Sequence, residues 1–345
     1  MAGISPDELK YMEEHASDSK VGNIIASVIS CGCIAYFAVG LRFYARNMVK
    51  FGVGLDDLAI LAALIVFTGF FIGFALGTQW GLGKHAIRVT NGESLAKSNI
   101  SDEVTYTVAI AFVKYSILLL YSRIFPSKGL RIAIITTAVF ITAWACSSIF
   151  GSIFQCVPIR SQWDPSVQGK CINYGNFVLA IGIINIISDF VILVLPIPVI
   201  WSLNMKKTKK LLTIFTLVAG SFACVVSIVR LAYAQSVGST VDASWDDVGG
   251  GILSCVEICI GILAACVPTY RPILNRFTRS RDYGSHSRTG GIVQTTDIHM
   301  HSVSRSAFKE DTDNIAYVNS GPKSFGVKLS DTSSDKERLY TMLPE

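Results

Sequence analysis

Long apolar runs, separated by shorter polar segments, recur seven times between Val21 and Leu274. Each is about 20 residues or longer, the length that an α-helix needs to cross a hydrocarbon layer of roughly 30 Å. In the run from Gly175 to Trp201 apolar residues occupy every face, which excludes an amphipathic surface helix there. The pattern predicts an all-α polytopic membrane protein, a seven-transmembrane-helix bundle. The predicted spans are Val21–Leu41, Asp57–Gly77, Val104–Ile124, Arg131–Phe154, Gly175–Trp201, Leu211–Ser236 and Val248–Leu274.

Composition agrees with this prediction. The chain is 51% hydrophobic and only 16% charged, whereas soluble domains carry about 25% charged residues. The net charge of +5 does not indicate nucleic-acid binding, because the basic residues cluster beside the apolar spans. Such clusters orient a membrane protein.

The distribution of Lys and Arg predicts the orientation. Basic residues are concentrated in the loops on the same side as the C-terminus, for example from Lys206 to Lys210. The positive-inside rule therefore places the N-terminus outside and the C-terminus in the cytoplasm. We expect three regions: a short extracellular N-terminus over residues 1–20, a membrane domain over 21–275, and a disordered, Ser- and Thr-rich cytoplasmic tail over 276–345.

Two features of the predicted outer loops fit this orientation. A glycosylation sequon begins at Asn99 in the second loop. Cys156 and Cys171 lie in the loop between spans four and five, where an oxidising exterior favours a disulfide over two free thiols.

Four ionisable residues lie well inside the spans: Lys114, Asp189, Arg230 and Glu257. Counted from the outer end of each span, the depths of a cation and the anions that it could meet differ by about 6 Å at most. An unpaired charge in hydrocarbon is costly, so we expect all four to face the bundle interior and to neutralise one another. They could serve as ion pairs that fix helix packing, as a ligand pocket or switch, or as a transport path.

Span two contains Gly69, Gly73 and Gly77, a spacing that lets another helix approach closely, within the bundle or across a dimer seam. Asp56 and Asp57 precede it or begin it, where carboxylates can cap a helix.

Several chemistries are not expected. No histidine lies in a span, which argues against haem, di-iron or zinc sites in the bundle. There is no phosphate-binding loop and no nucleophile elbow, and we therefore expect no enzymatic activity and no bound metal.

A set of short motifs runs in order between Val21 and Asn275. They are GVGLDDLAIL, GLGKH, KYSILLLYSRIFP, QCVPIRSQWDP, GKCIN, SDFVILVLPIPVIWSL, SIVRL and ACVPTYRPIL. Together they resemble the fungal rhodopsin-domain family of seven-helix integral membrane proteins. The resemblance implies the same fold and a receptor-like role. The residues that match its recurring polar positions are Asp56, Lys114, Cys156, Trp163, Asp164, Cys171, Asp189, Arg230 and Glu257.

The chain departs from familiar patterns in this group. The N-terminus has no cysteine-rich segment like that of the best-known receptor-like branch. The last span, Val248–Leu274, has no lysine for a retinal Schiff base, and Lys114 in span three is no equivalent. We expect no retinal and no other cofactor. The Asp-Arg-Tyr and Asn-Pro-x-x-Tyr motifs of animal receptors are also absent.

The first functional hypothesis is a plasma-membrane receptor that senses a small molecule or surface cue. Trp163, Asp164, Trp245 and Asp246 would form its outer mouth above the charged interior. Expected partners are the lipid bilayer, a small-molecule ligand and a cytoplasmic signalling protein. The alternatives are a proton-linked carrier that uses the charges within the spans, and a structural membrane protein.

Overall fold

The structure is a computed structural model. It describes residues 6–48, 52–124, 127–164, 166–198, 207–237, 242–270, 272–273, 315–318 and 325–328. These residues form two units, divided after residue 287, and each is described by itself.

Eight α-helices of the first unit have described bounds. They are α1 (Pro6–Glu14), α2 (Val21–Met48), α3 (Leu55–Trp80), α4 (Gly92–Ile124), α5 (Lys128–Ile153), α6 (Tyr174–Val194), α7 (Lys207–Val237) and α8 (Ala243–Cys266). Helices α2 to α8 are long and apolar enough to cross a membrane. The predicted seven-helix membrane fold is confirmed. Short 3₁₀ turns cover Ala86–Arg88, Ile159–Gln162 and Val267–Tyr270.

Several helices extend beyond the predicted spans. The side chain of Asn91 accepts a 3.0 Å hydrogen bond from the backbone N–H of Ser94, so α4 begins at Gly92 rather than near Val104. Such a cap satisfies a free N–H of the first turn, and polar residues can then extend the helix past the apolar run. Asn99, expected in a loop, therefore lies on α4 and is exposed.

Helix α6 is shorter than predicted. It begins after Asn173, whose side chain accepts a 3.1 Å hydrogen bond from the N–H of Asn176, and it ends at Val194 instead of Trp201. Pro196 lacks an N–H and cannot continue the helix. The remainder of the predicted span from residue 199 lies outside the described residues.

Helix α3 carries the aromatic core of the bundle. Phe67, Phe70, Phe71 and Phe74 are all buried, and α3 makes its most extensive contact with α4. Helix α8 packs against α2, α4 and α7. Many large apolar side chains on the outer faces are exposed, as expected of surfaces that meet lipid.

Gly73 faces α4, and Gly77 faces the turn that follows α3. A Cβ at Gly73 would lie 2.1 Å from Oδ1 of Asp102, and one at Gly77 would lie 3.0 Å from Cδ2 of Leu82. A Cβ at Gly69 would meet no atom within 4 Å. Two of the three glycines therefore serve close packing inside the bundle.

The two ends of the bundle differ. At one, β1 (Cys156–Val157) pairs antiparallel with β2 (Lys170–Cys171), and a disulfide joins Cys156 to Cys171. The predicted disulfide is confirmed, and we call this the disulfide end. The opposite end carries the buried side chain of Arg42 and is called the arginine end.

The second unit contains a hairpin in which β3 (Ile315–Val318) pairs antiparallel with β4 (Phe325–Lys328). It falls within the predicted tail. The rest of that tail lies outside the described residues, and its disorder stays a prediction.

Candidate functional site

The first ion pair within the bundle joins α4 to α6. Nζ of Lys114 lies 2.8 Å from Oδ1 of Asp189. The same ammonium group donates hydrogen bonds to Oδ1 of Asn185, at 2.6 Å, and to Oγ of Ser188, at 2.5 Å. It also lies 5.1 Å from the ring centre of Trp144. Lys114 is buried and fully partnered, as a charge in hydrocarbon requires.

The second ion pair joins α7 to α8. Nε of Arg230 lies 3.1 Å from Oε2 of Glu257, although the direction of its N–H bond makes this an ion pair rather than a hydrogen bond. The hydroxyl group of Tyr106 donates a 2.8 Å hydrogen bond to the same Oε2. The Arg230 guanidinium also stacks over the Tyr106 ring, 4.4 Å from its centre.

Two neutral side chains connect the pairs. Nδ2 of Asn185 donates to Oε1 of Glu257 at 2.9 Å. Oγ of Ser227 lies 2.7 Å from that Oε1 and 3.2 Å from Oδ2 of Asp189. A hydroxyl group has one proton, so Ser227 can donate to only one carboxylate at a time.

We call these residues the charged network: Tyr106, Lys114, Asn185, Ser188, Asp189, Ser227, Arg230 and Glu257. It links α4, α6, α7 and α8, and it brings together the four charges found in the sequence. The neutral members were missed. Asn185 precedes Asp189 by four residues, so the two share a helix face, and this spacing could have revealed it.

A cavity of about 460 Å³ lies at the disulfide end. Its lining includes Cys156 and Cys171 near the hairpin, and Tyr106 and Arg230 of the charged network. Phe70, Phe74, Ile100 and Val178 contribute apolar wall. A volume of this size falls within the roughly 300–1,000 Å³ typical of small-molecule sites. We call it the disulfide-end cavity.

Three carboxylates line this cavity: Asp102, Glu103 and Asp247. Asp102 is only 8% exposed, and its Oδ1 has no hydrogen-bond partner among the described residues. When ionised, the carboxylate of Asp247 repels those of Asp102 and Glu103. Oε2 of Glu103 accepts a 3.1 Å hydrogen bond from Tyr174. The sequence analysis noted Asp247 only as an outer-edge carboxylate next to Trp245 and Asp246, and it missed Asp102 and Glu103, which it placed in the loop before span three.

A smaller cavity of about 60 Å³ approaches the network from another direction. Lys114, Asp189 and Glu257 contribute to it, and its other walls are mostly apolar, including Ile117, Leu193 and Ala264. The charged network therefore borders two cavities.

The predicted outer mouth does not form as one site. Trp163 lies with its ring centre 5.2 Å from Nζ of Lys97. Asp164 pairs with Arg160 at 3.2 Å and accepts hydrogen bonds from Ser166. These bonds from Ser166, with the Arg160 charge, hold the pKa of Asp164 below its ordinary value.

Trp245 and Asp246 belong to another cluster. The Trp245 ring stacks on His85 with 4.2 Å between ring centres, and Nζ of Lys20 lies 4.1 Å over it. Partial burial lowers the pKa of Lys20, opposed by the charges of Asp246 and Asp242. Among the described residues, no hydrogen bond, ion pair or ring contact joins this cluster to Trp163 or Asp164, and none of the four predicted mouth residues lines the disulfide-end cavity. The α5–α6 loop holds one pair and the start of α8 holds the other.

The arginine end contains a further ionic cluster. Arg42 is fully buried and donates to Oδ2 of Asp56 at 2.6 Å and to Oδ1 of Asp57 at 2.7 Å. Nη1 of Arg123 donates to Oδ1 of Asp56 at 3.0 Å, and Arg46 also pairs with Asp56. Predicted span one ends at Leu41, whereas α2 continues to Met48 and carries Arg42 and Arg46 into contact with α3. Arg123 lies in the last turn of α4.

Comparison with known proteins identifies the fold family. The model of the fungal rhodopsin domain matches residues 41–276, more than half of the chain. The chain belongs to the fungal rhodopsin domain family. The match covers the last turns of α2 and all of α3 to α8, and so contains the whole charged network. No solved structure matches the chain.

Relatives of this fungal rhodopsin domain protein carry varied names. It is 27% identical over 79% of both chains to the polyenoic acids biosynthesis gene cluster protein Ba17b of Metarhizium anisopliae. It is 34% identical to a SAT4 family membrane protein of Emericella nidulans, over 61% of this chain and 55% of the relative. It is 24% identical to receptor GIN3 of Arthrobotrys oligospora, over 68% of this chain and 58% of the relative.

Proposed function

We propose that this fungal rhodopsin domain protein is a receptor without enzymatic activity, which senses a small molecule that enters the disulfide-end cavity. The observation that carries the proposal is the shared position of Tyr106 and Arg230. Both line the cavity, and both contact Glu257. A ligand that engages either side chain changes the electrostatic environment of Glu257, and through it the packing of four helices.

The proposed orientation places the disulfide end outside the cell. A disulfide persists in an oxidising compartment and is rare in the cytosol. The basic residues near the arginine end favour the cytoplasmic side. We assign the protein to the plasma membrane, where a cavity at the disulfide end would meet external molecules and the arginine end would meet a cytoplasmic signalling protein. One relative is named a receptor, which supports this assignment.

We also propose that the bundle carries no retinal. The last transmembrane helix contains no lysine, and Lys114 is already held by Asp189, Asn185 and Ser188. Reconstitution with retinal should give no visible absorption band that depends on Lys114.

The experiment follows the distance between the α2–α3 and α4–α5 connections at the arginine end. Spin labels at Val53→Cys and Lys128→Cys, in a background with the exposed Cys33 and Cys146 replaced by Ser, report that distance by pulsed electron resonance. Glu257→Gln and Arg230→Gln remove the pair that a ligand would disturb. A receptor should shift its distance distribution in both variants. Tyr115→Phe, which alters a hydrogen bond outside the charged network, is the control.

A proton-linked carrier is the second candidate, and the two cavities that border the charged network favour it. In proteoliposomes, a carrier should relieve an imposed pH gradient, and Asp189→Asn should abolish that flux. Flux without a distance change in the Gln variants would replace the receptor proposal with the carrier.

A further inference from the structure

The charge on the lining of the disulfide-end cavity is unbalanced. Asp102, Glu103 and Asp247 contribute three carboxylates. Arg230 contributes a cation, but it is already paired with Glu257 in the charged network. No other Lys or Arg is among the described residues that line the cavity. While these carboxylates are ionised, the space has a negative potential that favours a cation.

Asp102 provides a second, independent sign of a ligand. Its carboxylate is more than nine-tenths buried, and its Oδ1 has no hydrogen-bond partner in the described part of the chain. Gly73 of α3 leaves the room that this oxygen occupies, since a Cβ there would lie 2.1 Å from it. A buried carboxylate without a counter-charge is costly, and a cationic ligand in the cavity would supply that counter-charge.

The rest of the lining defines what accompanies the positive charge. Phe70 and Phe74 are buried aromatic residues of α3, and with Ile100 and Val178 they give the cavity an apolar wall. A small inorganic cation would leave this wall in contact with water. An ammonium group attached to an aromatic or aliphatic body would use both surfaces.

We propose that the disulfide-end cavity binds an organic amine, with the ammonium group between Asp102 and Asp247 and the apolar part against Phe70 and Phe74. The inference rests on the proposed function, because it names the class of ligand for the same cavity. Glu103, held by the Tyr174 hydroxyl group, contributes negative potential rather than a direct partner.

The test uses phenethylamine with two analogues of similar shape, neutral phenethyl alcohol and anionic hydrocinnamate. Thermal unfolding of the purified full chain in detergent is followed over a concentration series of each compound. The amine should raise the melting temperature, while the alcohol, the carboxylate and sodium chloride at the same ionic strength should not. Equal stabilisation by any of these, or none by the amine, would overturn the proposal.

Two variants locate the site. Asp102→Asn and Asp247→Asn should each raise the amine concentration needed for half-maximal stabilisation roughly ten- to a hundredfold. This is the range for losing one hydrogen bond to a charged group. Glu93→Gln, on the exposed first turn of α4, should leave it unchanged. Because each Asn variant relieves repulsion between carboxylates, the unliganded variants should melt no lower than the parent, and their loss of response then reports binding. Full retention of the amine effect in both would disprove the assigned site.

The outcome is separable from that of the proposed function. Binding of the amine is read from the melting temperature, whereas signalling is read from the distance at the arginine end. Amine binding without a distance change would keep this inference and defeat the receptor proposal. A distance change in the Gln variants without amine binding would keep the receptor proposal and defeat this inference.

Discussion

The hydroxyl group of Tyr106 donates its hydrogen bond to Oε2 of Glu257 at 2.8 Å. The same oxygen lies 3.1 Å from Nε of Arg230. Tyr106 therefore holds the carboxylate in place while its ring lies under the guanidinium group. Tyr106 and Arg230 are where the disulfide-end cavity meets the charged network.

Tyr106→Phe should lower the free energy of unfolding by about 1.5–3 kcal/mol, the range for a hydrogen bond to a charged group. Tyr115→Phe is a matched control, because Tyr115 shares its 2.8 Å hydrogen bond with the neutral hydroxyl group of Thr142. It should cost about 0.5–1.5 kcal/mol. Unfolding by SDS titration measures both. Equal effects would show that Glu257 does not depend on Tyr106.

Lys114→Met should destabilise the bundle by about 3–5 kcal/mol, because it leaves the largely enclosed charge of Asp189 without its cation. The double variant Lys114→Met with Asp189→Asn should recover part of that loss, since no unpaired charge remains. A double-mutant cycle in SDS titration gives the coupling energy. Additive losses would mean that the two groups do not interact in the folded protein.

Arg42→Lys should also lower stability by several kcal/mol, although it keeps the charge. The planar guanidinium of Arg42 reaches Asp56, Asp57 and the Ala265 carbonyl oxygen at once, and a lysine ammonium cannot match that geometry. Arg123→Lys is the comparison and should cost less, because Arg123 is one-third exposed and a lysine ammonium can keep a single ion pair with Asp56. Melting temperatures in one detergent would rank the two variants, and a smaller loss for Arg42→Lys would refute the assignment.

Gly73→Ala should destabilise the packing of α3 on α4 by about 1–3 kcal/mol, the usual effect of an overpacked site. The new methyl group would collide with Oδ1 of Asp102. Gly69→Ala, on the same helix, meets no neighbour within 4 Å and should be neutral or stabilising by up to about 1 kcal/mol. A neutral Gly73→Ala in thermal unfolding would indicate that Asp102 is not fixed against α3.

The Cys156–Cys171 disulfide closes a loop with a sequence separation of 15 residues. A loop of that length predicts a contribution of about 3 kcal/mol from reduced entropy of the unfolded chain. Cys156→Ser should lower stability by that order, and Cys33→Ser, which removes an exposed free thiol, should not. Thiol labelling of the unfolded, unreduced parent should modify the free cysteines only. Labelling at Cys171 would contradict the bond.

The sequence by itself determined the seven spans, the four charges within them and the disulfide. Hydrocarbon accepts only backbone whose hydrogen bonds are satisfied within the helix, so length and apolarity alone reveal each span. The cost of burying Lys114, Asp189, Arg230 and Glu257 likewise requires them to face one another, whatever the details of packing.

Only the tertiary structure decided which side chains contact the four charged residues and where the disulfide-end cavity lies. Asn185 and Ser227 are neutral, so the cost of transfer into hydrocarbon does not mark them in the sequence as it marks a charged residue. They connect the two ion pairs only because α6 and α7 approach α8. Asp102 looked like a loop residue because α4, capped by Asn91, begins well before the apolar run, and Asp247 lies directly before predicted span seven. Trp163 and Trp245 are predicted on the same side of the membrane, but they do not belong to one site. Hydropathy gives the depth of a residue along its helix and does not give the position of that helix around the bundle.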